Sequence, residues 1–419
     1  MFQIDFKNRK AIYNQLIDNF KRLIDTGVLS PGSEVPSTSE LAKMLTVNPN
    51  TVLKAYLELE NQSYFESEGG TEWFVRTSSE EKDQEPIKTL YSRIHADLQL
   101  LLENGGNKEE IEQLIGMGQK SFIQVEQLKK KMDDTMALAG LTMNVKKGSI
   151  YGLVGTNGSG KTTTLRHLAG LLRPDSGIAR IDGLPAYDKA HQKVIGYMPE
   201  EMYFLPDYTM KMLQRFFKNK YQQTWNNDRY QELVAVFQLN ENKKINTFSR
   251  GMQKQVGFIF DISTMPDVLL LDETIDGLDP LVRKQVVKMI IEDVANREMT
   301  VLITSHNMRE MDGLCDTIGI IKNGQLVIER ELDELKANTH KIQLAFPQDF
   351  MMNHYPYDGL EVLYMEELGS TDLLVVRGKE EEIAQHIESF EPLVYELVPM
   401  TLEEIFIYET EGALDEVRN

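Results

Sequence analysis

Nine consecutive residues have the composition of a phosphate cradle: Gly155-Thr156-Asn157-Gly158-Ser159-Gly160-Lys161-Thr162-Thr163. They follow the apolar stretch IYGLV and precede TTTLRHLAGLL, so they lie between a strand and a helix, the setting in which such a loop works. Gly155, Gly158 and Gly160 allow backbone N–H groups to turn inward around phosphate oxygens, with Asn157 and Ser159 between them. The helix starting near Lys161 adds the positive end of its dipole. Lys161 is suited to reach the β- and γ-phosphates of a nucleotide and Thr162 to give its hydroxyl to Mg²⁺, with Thr163 beside it in the binding turn. Further on, Val268-Leu269-Leu270-Leu271-Asp272-Glu273 reads as a buried strand ending in two carboxylates. Asp272 suits a magnesium site, and Glu273 suits polarisation of an attacking water.

With these residues in place, the stretch from about 122 to 335 resembles the ABC ATPase family. The family's signature loop appears as Phe248-Ser249-Arg250-Gly251-Met252. Ser249 and Gly251 match it, and the departures at Arg250 and Met252 resemble the type-2 exporter branch. The resemblance implies that Ser249 and Gly251 cap nucleotide bound by a second chain. It places Asp279, in GLDP, at the interface of a head-to-tail homodimer, and makes His306 the switch histidine that contacts the γ-phosphate. Glu200 stands where the family has a glutamine, and a carboxylate there can still ligate Mg²⁺ or its water. Met132 stands where the family stacks an aromatic ring on adenine, and thioether packing on a base is softer than ring stacking. The expectation is weak nucleotide binding with little preference for ATP over GTP. The resemblance further implies ATP and Mg²⁺ as ligands and a separate transmembrane permease as partner.

The front of the chain shows a different pattern. Ile12, Leu16, Phe20, Leu23 and Ile24 recur at helical spacing over 9–26. LSPGSEVPS breaks that helix, a short one capped at Ser37 or Ser39 runs to Met44 or Leu45, and a second spans about 50–61. SYFES and TEWFVR flank a glycine pair as a small wing, with Trp73 favoured as core. This stretch resembles the winged helix-turn-helix of the short YtrA-type GntR family, and 101–118 resembles its helical dimerisation tail. The resemblance makes 48–60 a recognition helix presenting Asn50, Thr51 and Lys54 to operator DNA, with phosphate contacts from Ser37 and Thr38. Charge argues the other way. Residues 1–77 hold ten acidic and eight basic side chains, Ser39 replaces the usual arginine, and the wing carries Glu66, Glu68 and Glu72. Phosphate binding draws affinity from basic residues, so a winged helix retained for dimerisation or protein contact stays open beside DNA binding.

The 419 residues carry a net charge of −20, and 341–419 hold eighteen acidic against four basic side chains. Such a tail repels nucleic acid and anionic lipid. No apolar run approaches a membrane span and MFQIDFKNRK lacks a signal-peptide core, so a cytoplasmic protein is expected, peripheral at the membrane only through a permease. The single cysteine, Cys315, reads as buried packing, and the remaining histidines show no metal-ligand spacing. The fold class expected is multidomain: a mainly α winged-helix domain (1–77), a helical dimerisation or linker segment (78–121), an α/β ATPase core (122–338) and a small α+β extension (339–419). Two readings compete: the ATPase of an exporter, and an ATP-gated DNA-binding regulator.

Overall fold

The computed structural model describes residues 4, 11–68, 72–76, 121–188, 195–275, 277–347 and 357–416. The expected linker helices of 86–120, the dimerisation tail and Asp276 lie outside the described residues.

At the front, α1 (Ile12–Asp25) buries Ile12, Leu16, Ile17, Phe20 and Leu23 on one face, the stripe its spacing predicts. β1 (Glu34–Val35), α2 (Thr38–Leu45), α3 (Pro49–Asn61), β2 (Phe65–Glu68) and β3 (Glu72–Val75) complete a winged helix whose antiparallel sheet has the order β1-β3-β2. Ser37, not Ser39, caps α2 in a reciprocal capping box with Glu40. Asn48 caps α3, and Pro49 occupies the first helical position, where its missing N–H is harmless. The core is aromatic: the Tyr56 ring lies 5.4, 5.2 and 5.3 Å from Phe20, Phe65 and Trp73, each edge to face.

β4 (Ser121–Met132) and β5 (Thr135–Lys146) form a long hairpin. β6 (Ile150–Val154), α4 (Lys161–Leu168), β7 (Ser176–Ile181), β8 (Leu184–Pro185) and β9 (Ile195–Met198) follow. Three helices come next, α5 (Met210–Lys220), α6 (Asn227–Phe237) and α7 (Arg250–Ser263). Then come β10 (Val268–Asp272), α8 (Pro280–Arg297), β11 (Thr300–Ser305), β12 (Thr317–Lys322) and β13 (Gln325–Glu331). The hairpin joins β7 and β8 in an antiparallel sheet of order β5-β4-β7-β8. The main sheet runs β13-β12-β6-β11-β10-β9, parallel throughout except for β13. β6, β10 and β11 are buried at every position, which is why they read as unbroken apolar runs. The apolar stretch TIGIIKNGQLV forms two strands, β12 and β13, that turn at Asn323-Gly324. Both residues have positive φ there, as a tight hairpin requires.

The chain ends in α9 (Leu332–Asn338), β14 (Thr339–Ala345), β15 (Glu361–Leu368), β16 (Thr371–Arg377), α10 (Glu380–Glu388), β17 (Val394–Val398) and α11 (Leu402–Glu416). Its antiparallel sheet has the order β15-β16-β14-β17, and Ile383 and Ile387 of α10 are buried in one cluster with Ile342, Leu344, Leu374 and Val376. α11 is tied back by Glu403 to Arg309 and by Glu404 to Lys341.

Candidate nucleotide site

Strand register brings the chemistry together. Val154 pairs with Ser305 and Asp272 with Thr304, so β6, β10 and β11 end in one row. The loop after β6, the two carboxylates after β10 and the histidine after β11 therefore converge above the sheet. Loop 155–160 is held tight by its neighbours. A Cβ on Gly155 would lie 2.4 Å from the Ile321 carbonyl, and one on Gly160 would lie 2.7 Å from that of Ala137. Gly160 also has φ +113° at the cap of α4, a conformation that favours glycine.

Lys161 is buried, and its Nζ donates to Gly155 O at 2.7 Å and Thr156 O at 3.2 Å while lying 3.0 Å from a Glu273 carboxylate oxygen. The other Glu273 oxygen is 3.1 Å from His306 Nδ1. Burial pushes the Glu273 carboxyl upward, but Lys161 and His306 together hold it below the usual carboxylate range. Its backbone sits at φ +48°, an uncommon value for a side-chain-bearing residue. Lys254 of α7 donates to the Glu273 carbonyl at 3.0 Å. Thr162 donates to Asp272 Oδ1 at 3.0 Å, as does Thr304 at 2.9 Å, and the Tyr197 hydroxyl reaches the other oxygen at 3.4 Å.

The sequence singled out Lys161, Thr162, Asp272, Glu273 and His306, and these meet. Asn157 is exposed on the loop, Ser159 is buried and Thr163 is half-buried in the first turn of α4. The Ser159 Oγ is a buried atom with no partner among the described residues. An unanswered donor at a phosphate loop fits a ligand that brings oxygens. Among the described residues no group of three or more His, Cys, Asp or Glu gathers to hold a metal alone. Thr162 with Asp272 fits Mg²⁺ that shares its remaining shell with phosphate and water. Glu200 is exposed, two residues beyond β9. Ser249 and Asp279 are helix caps, accepting from Met252 N and Val282 N, and Gly251 has open space where a Cβ would stand. Met132 is 40% exposed at the tip of the β4–β5 hairpin. Thr304, Tyr197 and Lys254 escaped the sequence reading because a lone polar residue in an apolar run carries no pattern.

The nucleotide site and the front module can now be set beside known proteins. The model of the ABC transporter family matches residues 138–276, and that of the bacterial regulatory proteins of the gntR family matches 12–75. The ABC transporter ATP-binding protein YtrB of Bacillus subtilis is 32% identical over 70% of this chain and 99% of its own length. The chain belongs to the ABC transporter ATP-binding family. Other members it resembles are the bacitracin transport ATP-binding protein BcrA of Bacillus licheniformis, 32% identical over 53% of this chain and 73% of its own, and the daunorubicin/doxorubicin resistance ATP-binding protein DrrA of Streptomyces peucetius, 34% identical over 52% and 67%. A solved ATP-binding subunit of an ABC transporter covers 52% of this chain and 92% of its own, with 24% identity and a TM-score of 0.47. This ABC ATP-binding protein thus has an ATP-binding core and a GntR-type front, and no described helix is long and apolar enough to cross a membrane.

Two of the residues assigned to DNA, Asn50 and Thr51, are bonded to that core, with Asn48 beside them. Asn48 Nδ2 donates to Leu314 O at 2.9 Å, and Asn48 is 1% exposed. Asn50 Nδ2 donates to Gly148 O at 3.1 Å and to Asp316 at 3.3 Å, and the Thr51 hydroxyl reaches Asp333 at 3.4 Å. Lys54 lies 4.8 Å from the Tyr13 ring. Lys43 of α2 pairs with Glu292 of α8 at 2.6 Å. Ser37 uses its hydroxyl in the capping box, and Thr38 opens α2 half-buried. Burial pushes Asp316 up to about 6, against the downward pull of Ile150 N–H, Asn48 and Asn50.

Proposed function

We propose that this chain is the ATP-hydrolysing subunit of an exporter of the type-2 branch, cytoplasmic and held at the membrane's inner face by a separate permease. The single observation that carries hydrolysis is the contiguous row Lys161–Glu273–His306, beside Asp272 and Thr162. Relatives named for bacitracin transport and daunorubicin/doxorubicin resistance support an export role. We read the chain as four units, 1–77, 78–121, 122–338 and 339–419, the last packing and dimerising.

Two chains close head to tail over two ATP, each adding Ser249, Gly251 and Asp279 to the other's loop. Lys161 turns from Glu273 to the β- and γ-phosphates, and the loop amides with Asn157 and Ser159 surround them. Thr162 and Asp272 would hold Mg²⁺, with Glu200 as a further oxygen donor, and the ion would offset charge on the phosphate oxygens. Once Lys161 has left, Glu273 loses the main partner that depresses its carboxyl, so its basicity rises as substrate arrives. Glu273 then takes a proton from water as the new O–P bond forms and the bond to the β-phosphate oxygen breaks. His306 keeps the carboxylate and water in line. Glu273→Gln tests this: nucleotide binding should persist while turnover falls by roughly 10²–10⁴-fold. Turnover within a few-fold of the parent would remove Glu273 from the reaction.

A second reading, nucleotide-gated operator binding through 1–77, is favoured by one observation. The helix-turn-helix is fully formed, with both helices capped by their own side chains.

A further inference from the structure

The N-terminal end of a recognition helix is the part that meets base edges and phosphates. In this chain that end is already occupied. Around it stand two carboxylates, Asp316 on Asn50 and Asp333 on Thr51, and two carbonyls, Gly148 O on Asn50 and Leu314 O on Asn48. Oxygen acceptors with negative charge at a helix N-terminus are what DNA phosphates would offer. Thr51 is 8% exposed and Asn48 1%, so a duplex cannot reach them from this position.

We propose that the ATPase core is a built-in competitor for DNA, docking the recognition helix through Asp316 and Asp333 and releasing it for operator binding. This rests on the regulatory reading of 1–77. Several features make the dock reversible. The two carboxylate contacts on α3 are long, 3.3 Å at Asn50 and 3.4 Å at Thr51. The Lys43–Glu292 pair is partly exposed, at 45% and 21%, and such pairs contribute little. Interfaces between units of one chain commonly behave as transient contacts.

The dock also touches elements that begin at the nucleotide site. α8 starts at the Asp279 cap and carries Glu292. Arg283, one turn into α8, holds Glu310 at 2.9 Å, four residues beyond His306. Leu314, which holds Asn48, lies four residues further. Closure of the nucleotide dimer therefore bears on both walls of the dock.

The test uses the full chain and the duplex upstream of its own reading frame, at low salt. Glu292→Gln with Asp333→Asn removes two carboxylate charges on the ATPase side and leaves every α3 residue intact. The dock predicts DNA binding at least about tenfold tighter than in the parent, since apparent affinity scales with the released fraction. Hydrogen exchange across 48–54 should rise in parallel. Asp333→Ala alone, which removes the Thr51 acceptor, is the second variant, should the first fold poorly. Equal DNA affinity in parent and variants, with exchange raised, overturns the dock as competitor and leaves the regulatory reading standing. No DNA binding by variants whose 48–54 exchange is raised overturns the regulatory reading, and the competitor with it. Unchanged exchange in both variants overturns the reversible contact itself.

Discussion

Two helices of this molecule turn their N-termini toward negative charge, and they are answered differently. At α4 the glycine loop leaves the Ser159 hydroxyl buried without a partner, and Lys161 rests on its own loop carbonyls and on Glu273. At α3 the acceptors are supplied in full by the protein: Asn48, Asn50 and Thr51 each have a partner on the ATPase core. A site built for a ligand keeps unmet donors, whereas a site built for an intramolecular partner does not. The first expectation is therefore that polar groups are indispensable at α4 and exchangeable at α3.

The largest effect should come from Lys161→Ala. It removes the cation aimed at the phosphates and strands the Glu273 carboxylate beside His306 alone. Nucleotide affinity should fall by a hundredfold or more, in line with about 3 kcal/mol or more for a charged hydrogen-bonded partner. A fluorescent-nucleotide titration measures it, and a loss under fivefold would break the contrast between the two helix ends. Met132→Tyr should act in the opposite direction. Ring stacking on a base contributes about 1–3 kcal/mol, so the variant should bind ATP roughly tenfold tighter and prefer it over GTP. A parent that already binds ATP tightly and selectively would remove Met132 from the base-binding position.

The contrast also explains what the sequence made readable. The loop 155–163 and the strand ends at Asp272 and Ser305 are local patterns, and register then places them together. Capping at Ser37 and Asn48 is local too. The dock is not, because Gly148, Leu314, Asp316 and Asp333 are ordinary residues in three separate stretches. Nothing in any of them announces a partner some 266 positions away, the separation between Asn50 and Asp316. Charge counting at the front pointed to weak DNA binding, yet it could not reveal that the acceptors come from within the chain. Asn323-Gly324 inside TIGIIKNGQLV is a local turn signal of the same legible kind.

Asp316 offers a quieter test through pH. Burial pushes its carboxyl up to about 6 in the folded chain, above the ordinary aspartate range. A raised folded value means that stability is fully present below the unfolded value and is lost as pH rises through 6. Relative to Asp316→Asn, the parent should therefore lose about 1–3 kcal/mol between pH 4 and pH 7. Asn keeps an acceptor for Ile150 N–H and Asn50, so the variant should stay flat across that window. Urea midpoints at the two pH values measure the difference. A parent that gains on the variant as pH rises would show that Asn48, Asn50 and Ile150 N–H outweigh burial, making the dock a strong anion site after all.

The smallest effect sharpens the same question from the outside. Lys43 of α2 and Glu292 of α8 make a short polar contact, at 2.6 Å, yet Lys43 is almost half exposed. Solvent screening and the entropy of holding a long side chain leave such a pair worth about 0.2–1 kcal/mol. Lys43→Ala should thus move the melting temperature by no more than about 2 to 4 °C, far less than a short distance alone would suggest. Repeating the melt at high salt should shrink even that difference, because exposed pairs are screened. A loss of several kcal/mol, unchanged by salt, would mean that α2 and α8 are locked together rather than resting in contact. In that case the front module would be a permanent part of the ATPase core, and the difference between the two helix ends would be one of partner only, not of exchange.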